Sequence, residues 1–182
     1  LLALFIGLST GTTGFVPLGG LLSGDAWLFA IRGPRVILAA LLGGTLAMSG
    51  AALQGLLRNP LVSPYTVGVS SGSSLGAVIA IRFGLEKLLG GTLGLFPAAI
   101  LGGLLTMALL FGLARGSKRW SGSTLLLSGI TLSFFCSAMI MFIQYTATYQ
   151  ESFKMVRWLM GTMDFISWRE VALVLPFTAP AL

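Results

Sequence analysis

Gly68-Val69-Ser70-Ser71-Gly72 has the Gly-x-Ser-x-Gly spacing that presents a nucleophilic serine on a sharp turn. That chemistry needs a base beside the hydroxyl. The chain has no histidine, and no lysine stands near Ser70 in sequence. The glycines therefore read as packing positions and the serines as groups bonded to their own backbone. The missing histidine also removes Ser-His-Asp triads and imidazole metal sites. One cysteine, Cys136, sits in an apolar run, which leaves no intrachain disulfide, zinc knuckle or cysteine-held cluster. No Gly-x-x-x-x-Gly-Lys-Ser/Thr loop occurs, so any ATPase must be another chain. The chain reads as a non-enzyme with no metal site and no cofactor of its own.

Two polar clusters remain. Arg32-Gly33-Pro34-Arg35 precedes an uncharged run, and its arginines, three apart, share roughly one helix face at the water boundary. They suit interface anchoring, or docking of an acidic partner through paired hydrogen bonds to carboxylates. Pro34 is expected in the first helical turn, where its missing N–H costs nothing. Asn59-Pro60-Leu61 follows the same run. Aquaporin-type pores use a related Asn-Pro-Ala twice, but Asn59 is the sole asparagine here, so a passive channel has weak support. A helix stop, with the side chain satisfying freed backbone groups, fits equally.

The elements that hold these groups are set by lipid. Hydrophobic residues make up 55% and charged residues 9%, where soluble domains carry about 25% charged. Mean hydropathy is +0.95. The formal charge of +6 is spread singly between apolar runs, which is no nucleic-acid footprint. Uncharged runs long enough to cross a bilayer lie at Val36–Leu57, Gly90–Ala114 and Leu125–Ile143. Val67–Ile81, with four serines, is too short and polar to cross facing lipid, and predicts a short or broken helix covered by protein. Leu1–Leu8 and Val171–Leu182 read as halves of two more spans, giving about six membrane segments in an all-α polytopic bundle. The chain thus reads as a fragment of a longer membrane protein. Between spans, Phe153, Val156, Met160 and Met163 recur at helical spacing with Lys154 and Arg157 among them, predicting an amphipathic helix at the membrane interface.

Small residues recur every fourth position in three stripes: Gly43, Ala47, Ala51, Gly55; Gly68, Gly72, Gly76, Ala80; and Gly94, Ala98, Gly102. Such stripes let helix backbones approach closely, which is how helices pack in lipid. They predict a multi-helix bundle in place of a lone anchor.

Taken together, Arg32-Gly33-Pro34-Arg35, Gln54-x-x-x-x-Asn59-Pro60-Leu61 and Gly68-Val69-Ser70-Ser71-Gly72 resemble the permease family of iron-siderophore, haem and cobalamin ABC importers, type II. Leu125-Leu126-Leu127-Ser128-Gly129 and Trp158-Leu159-Met160-Gly161 resemble that family's later segments. The resemblance implies a permease subunit of about ten helices, of which residues 1–182 form the first half as one transmembrane domain cut at both ends. It implies a second copy of the permease, two ATP-binding cassette subunits that hold ATP and magnesium, and a periplasmic or lipoprotein substrate-binding protein. It implies no nucleic acid, and a place in the cytoplasmic (inner) membrane of a bacterium or archaeon. The expected cargo is a metal chelate: ferric siderophore first, haem or cobalamin next, with an oxyanion such as molybdate as the alternative. The resemblance assigns binding-protein docking to Arg32 and Arg35. It assigns the cytoplasmic gate and translocation path to Leu61, Ser121, Gly122, Ser123 and Ser128, where Gly122 departs from a hydroxyl pattern. It also orients the chain, with Arg58, Arg115, Lys118 and Arg119 in the cytoplasm and all five acids outside.

Overall fold

The structure, a computed structural model, describes residues 6, 7, 9, 26–85, 94–116, 122–161 and 166–178. Six helices are described: α1 (Ala26–Leu57), α2 (Val69–Arg82), α3 (Leu95–Gly116), α4 (Gly122–Thr146), α5 (Tyr149–Met160) and α6 (Trp168–Thr178). No strand occurs among the described residues. Among the described residues, three helices are long and apolar enough to cross a membrane: α1 through Ala30–Leu57, α3 through Leu95–Leu113, and α4. The chain divides into two compact units, one of Gly50–Thr162 and one of Leu1–Ser49 with Met163–Leu182.

α1 begins ten residues earlier than Val36, and Pro34 lies inside it. The expected first-turn proline is thus corrected. Apolar residues upstream carry the helix back to Ala26, and a proline within a membrane helix is tolerated where neighbours satisfy the freed carbonyl. The two arginines also part company: Arg32 is buried and Arg35 exposed. Three residues are about 300° of helical turn, enough to put one side chain at the edge of a contact and the other beyond it. Gly43 and Gly55 face open space, and Ala47 and Ala51 are exposed, among the described residues.

In the unit Gly50–Thr162, α2 is the central element, packed against α3, α4 and α5. Its 14 residues rise about 21 Å, short of a ~30 Å hydrocarbon core. The non-helical segment 58–68 leads into α2, with Val62 and Val67 buried beside Leu110 while Leu61 and Tyr65 stay exposed.

α2 meets α3 backbone to backbone. A Cβ on Gly72 would run into the Thr106 side chain, one on Gly76 into the Ala98 carbonyl, and one on Gly102 into the Gly72 carbonyl. Thr106 is buried, and its hydroxyl donates to Gly102 O at 2.9 Å, so the polar group at this contact is satisfied. Ser71 likewise donates to Gly68 O at 2.9 Å. Lipid tails give helices no hydrophobic drive to associate, so this contact is held by dispersion over a close approach.

Gly68 has φ +87, a left-handed conformation that a Cβ disfavours, and it starts α2. A Cβ there would sit 2.9 Å from Gly129 O and 3.2 Å from Ser133 Oγ. In return, a Cβ on Gly129 would sit 2.8 Å from Thr66 O and 2.9 Å from Val67 O. Gly68 and Gly129, from two separate sequence blocks, therefore interlock.

Candidate functional site

The helices of this unit sort their termini to two ends. At one end Gly122, starting α4, lies against Leu57, ending α1: a Cβ on Gly122 would be 2.8 Å from Leu57 O. The segment 58–68 belongs to the same end. It is a tight turn in which Asn59 Oδ1 accepts the Leu61 N–H at 3.0 Å, and Ser63 and Thr66 bond each other's backbone. It leaves Leu61 82% exposed while Val62, the next residue, is 1% exposed.

From this end an open groove of about 700 Å³ runs along α4 and reaches Leu113 of α3. Its polar lining is Ser123, Thr124, Ser128 and Thr131, and its apolar lining is Leu127, Leu132 and Phe135. Among the described residues, no charged side chain lines it. Thr131 turns its hydroxyl back to Leu127 O at 2.9 Å. Such a wall offers apolar contact and neutral hydrogen bonds. It offers no carboxylate, imidazole or thiolate to hold a bare cation, and no group of His, Cys, Asp and Glu suited to a metal occurs among the described residues. Of the positions assigned to the path, Ser123 and Ser128 line the groove. Leu61 stands apart from the lining, Gly122 packs on Leu57, and Ser121 lies outside the described residues. Gly129, which seats α4 beside Ser128, belongs to none of the three stripes. It stands alone in its helix turn, and only its likeness to Gly68 as the glycine of a motif block marks it.

At the other end, Arg82 of α2 links the Glu151 carboxylate of α5 to the last residue of α4. Glu151 Oε2 accepts from Arg82 Nη1 at 3.0 Å and from the Thr148 N–H at 2.9 Å. The Thr148 hydroxyl accepts from Glu151 N at 3.4 Å, completing a capping box that starts α5. Arg82 Nη2 reaches Thr146 O at 3.4 Å, the last residue of α4. Bonding to the Thr148 N–H first, with the Arg82 charge a smaller cause, holds the Glu151 carboxyl below the usual carboxylate range. Glu170, starting α6, is lowered by the Ser167 hydroxyl and N–H.

α5 carries the amphipathic pattern on an unforeseen face. Met155 is fully buried against Val78, Ile81 and Leu95, with Trp158 packed beside it. Phe153, Val156 and Met160 are exposed, and Met163 lies outside the described residues. In the serine motif, Ser70 is exposed, and no histidine exists to activate it.

The fold defines a polytopic helical membrane protein. The profile of the FecCD transport family matches residues 1–182, and the chain belongs to that family. It is 43% identical over 148 residues to the ABC transporter permease protein YvrB of Bacillus subtilis (strain 168), covering 81% of this chain and 42% of that protein. It is 39% identical over 145 residues to the molybdate import system permease protein MolB of Haemophilus influenzae, covering 79% and 42%. It is 36% identical over 177 residues to the vitamin B12 import system permease protein BtuC of Escherichia coli O127:H6, covering 96% and 53%. The chain thus spans about half the length of these relatives. A solved structure described as an inward-facing conformation of a metal-chelate type ABC transporter superposes with a TM-score of 0.73 at 35% identity, covering 99% of this chain and 53% of that one.

Proposed function

We propose that the chain is the first half of the membrane-spanning permease subunit of a binding-protein-dependent ABC importer, and that its cargo is a metal already wrapped in an organic chelate. The observation that carries this is the groove along α4. Its wall of hydroxyls and apolar groups, without a charge among the described residues, suits a bulky ligand that brings its own metal coordination. The solved metal-chelate type relative supports the same class. Ferric siderophore is the first cargo, then haem or cobalamin. Molybdate is the second reading, favoured by 39% identity to MolB.

In this reading Leu61 and the start of α4 form the cytoplasmic gate, and Ser123 and Ser128 belong to the path. A second permease copy completes the path across the inner membrane of a bacterium or archaeon. Two ATPase chains drive alternating access, and a binding protein docks outside through the arginine pair. The test is uptake into liposomes by the full-length parent with its ATPase and binding protein. Ferric siderophores, haem, cobalamin and molybdate are each offered with and without ATP. ATP-dependent uptake of a chelate is the expected result. Uptake of molybdate alone selects the second reading, and flux without ATP or binding protein makes the protein a passive channel.

A further inference from the structure

The turn after α1 is gripped from both sides of one residue. Gln54, in the last turn of α1, donates through Nε2 to Pro60 O at 3.0 Å and to Val62 O at 3.2 Å. These two carbonyls flank Leu61. A side-chain amide carries two N–H groups, and here the pair of bonds can use both on the same turn. Asn59 ties Leu61 from the other direction, accepting its N–H at 3.0 Å, while Asn59 N donates to Gln54 O at 3.1 Å. Arg58, with φ +48, turns the chain back on the helix, and Pro60 fixes a further φ. An apolar side chain so exposed, on a backbone so constrained, is a displayed group.

Packing does not explain Gln54. It is exposed, so it fills no core, and it ends an apolar span where a polar amide is costly unless bonded. Val62 already anchors the turn in the apolar cluster with Val67 and Leu110. Removing the amide therefore leaves the turn attached but its tip held by Asn59 alone.

We propose that Gln54 is a positioning residue for the gate: its amide sets the height and aim of Leu61. The inference rests on the reading of Leu61 as part of the cytoplasmic gate. Gln54→Met keeps the length of the side chain and removes both donors. Gln54→Glu is the second variant, since an ionised carboxylate has no proton to give the two carbonyls.

The test uses the full transporter in nanodiscs, with a nitroxide at position 61 in a background without other cysteines. A label at position 145, at the far end of α4, is the control. In either variant the rotational correlation time at 61 is expected to fall at least threefold, with no change at 145. An unchanged spectrum at 61 overturns the proposal, and so does equal loosening at 61 and 145, which would make Gln54 a general fold residue. With native Leu61, either variant is expected to raise ATP-independent leak several-fold. Leu61→Ala should do the same, and the double variant no more. If Leu61→Ala transports normally while the label at 61 still loosens, the gate reading fails and the Gln54 contacts stand. If Leu61→Ala leaks while the label at 61 is unmoved, the gate reading stands and Gln54 is removed from it.

Discussion

Replacing Gly129 by alanine tests the interlock between α4 and the start of α2. The new Cβ would stand 2.8 Å from Thr66 O, 2.9 Å from Val67 O and 3.0 Å from Val67 C, where ordinary contacts begin at 3.4 Å. All three atoms are backbone, so no rotamer change relieves them. Either α4 or the turn must retreat by about 0.6 Å, and overpacking of this kind costs about 1–3 kcal/mol. That is roughly a 5- to 150-fold shift in the folding equilibrium, or about 2–12 °C in melting temperature for a chain of this size. Cys136, buried in α4, supplies the assay. A thiol-reactive fluorophore reports its exposure on heating, in a background where it is the sole cysteine. Gly112→Ala is the matched control, because nothing lies within 4 Å of its Cβ position. There alanine should be neutral or stabilise α3 by up to about 1 kcal/mol through helix propensity. Equal melting temperatures for the two variants would refute the close approach.

Thr148→Ala removes the capping hydroxyl of α5 and should cost about 1 kcal/mol, read as faster hydrogen exchange confined to that helix. Glu151 is held below its ordinary pKa, so its ionised form is the one the fold stabilises. Its contribution is present above the ordinary carboxylate range and is lost as pH falls through the depressed value. Trp158 fluorescence, with other tryptophans replaced, should therefore hold steady from pH 7 to about pH 5 and change on stronger acidification. Glu151→Gln should abolish that acid step. Arg35→Glu should weaken binding-protein association and reduce its salt sensitivity without lowering the melting temperature, because Arg35 is exposed; unchanged affinity at low salt removes it from docking. Ser70 should resist a serine-directed fluorophosphonate, and covalent labelling would restore a hydrolase.

The spans were legible because lipid imposes length and composition together: α3 and α4 lie where the uncharged runs end, within a few residues. The shortness of α2 was legible for the same reason. Partners were harder. Stripes of small residues mark close approach without saying what approaches, and only coordinates match Gly72 and Gly76 to Ala98, Gly102 and Thr106. α5 misleads for a physical reason. In water the apolar stripe turns inward, but near lipid or a partner it can face out, and here Met155 is buried while Phe153 and Met160 are exposed. The Thr148-x-x-Glu151 cap is a sequence signature and could have been read. The bonds of Gln54 could not, since they depend on a left-handed Arg58 that no neighbouring residue type demands.

The contact of α2 with α3 limits how the protein can change shape. Its surfaces are notched, not greased: the Thr106 side chain fills the space left by Gly72, and the Ala98 carbonyl fills the space left by Gly76. Sliding one helix by 1.5 Å would drive the Thr106 side chain and the Ala98 carbonyl out of these notches and against the neighbouring backbone. The pair therefore behaves like meshed teeth with no idle position. It can be carried bodily or pulled apart, but it has no low-cost way to slip, so any stroke that passes through this unit must be taken up at its borders.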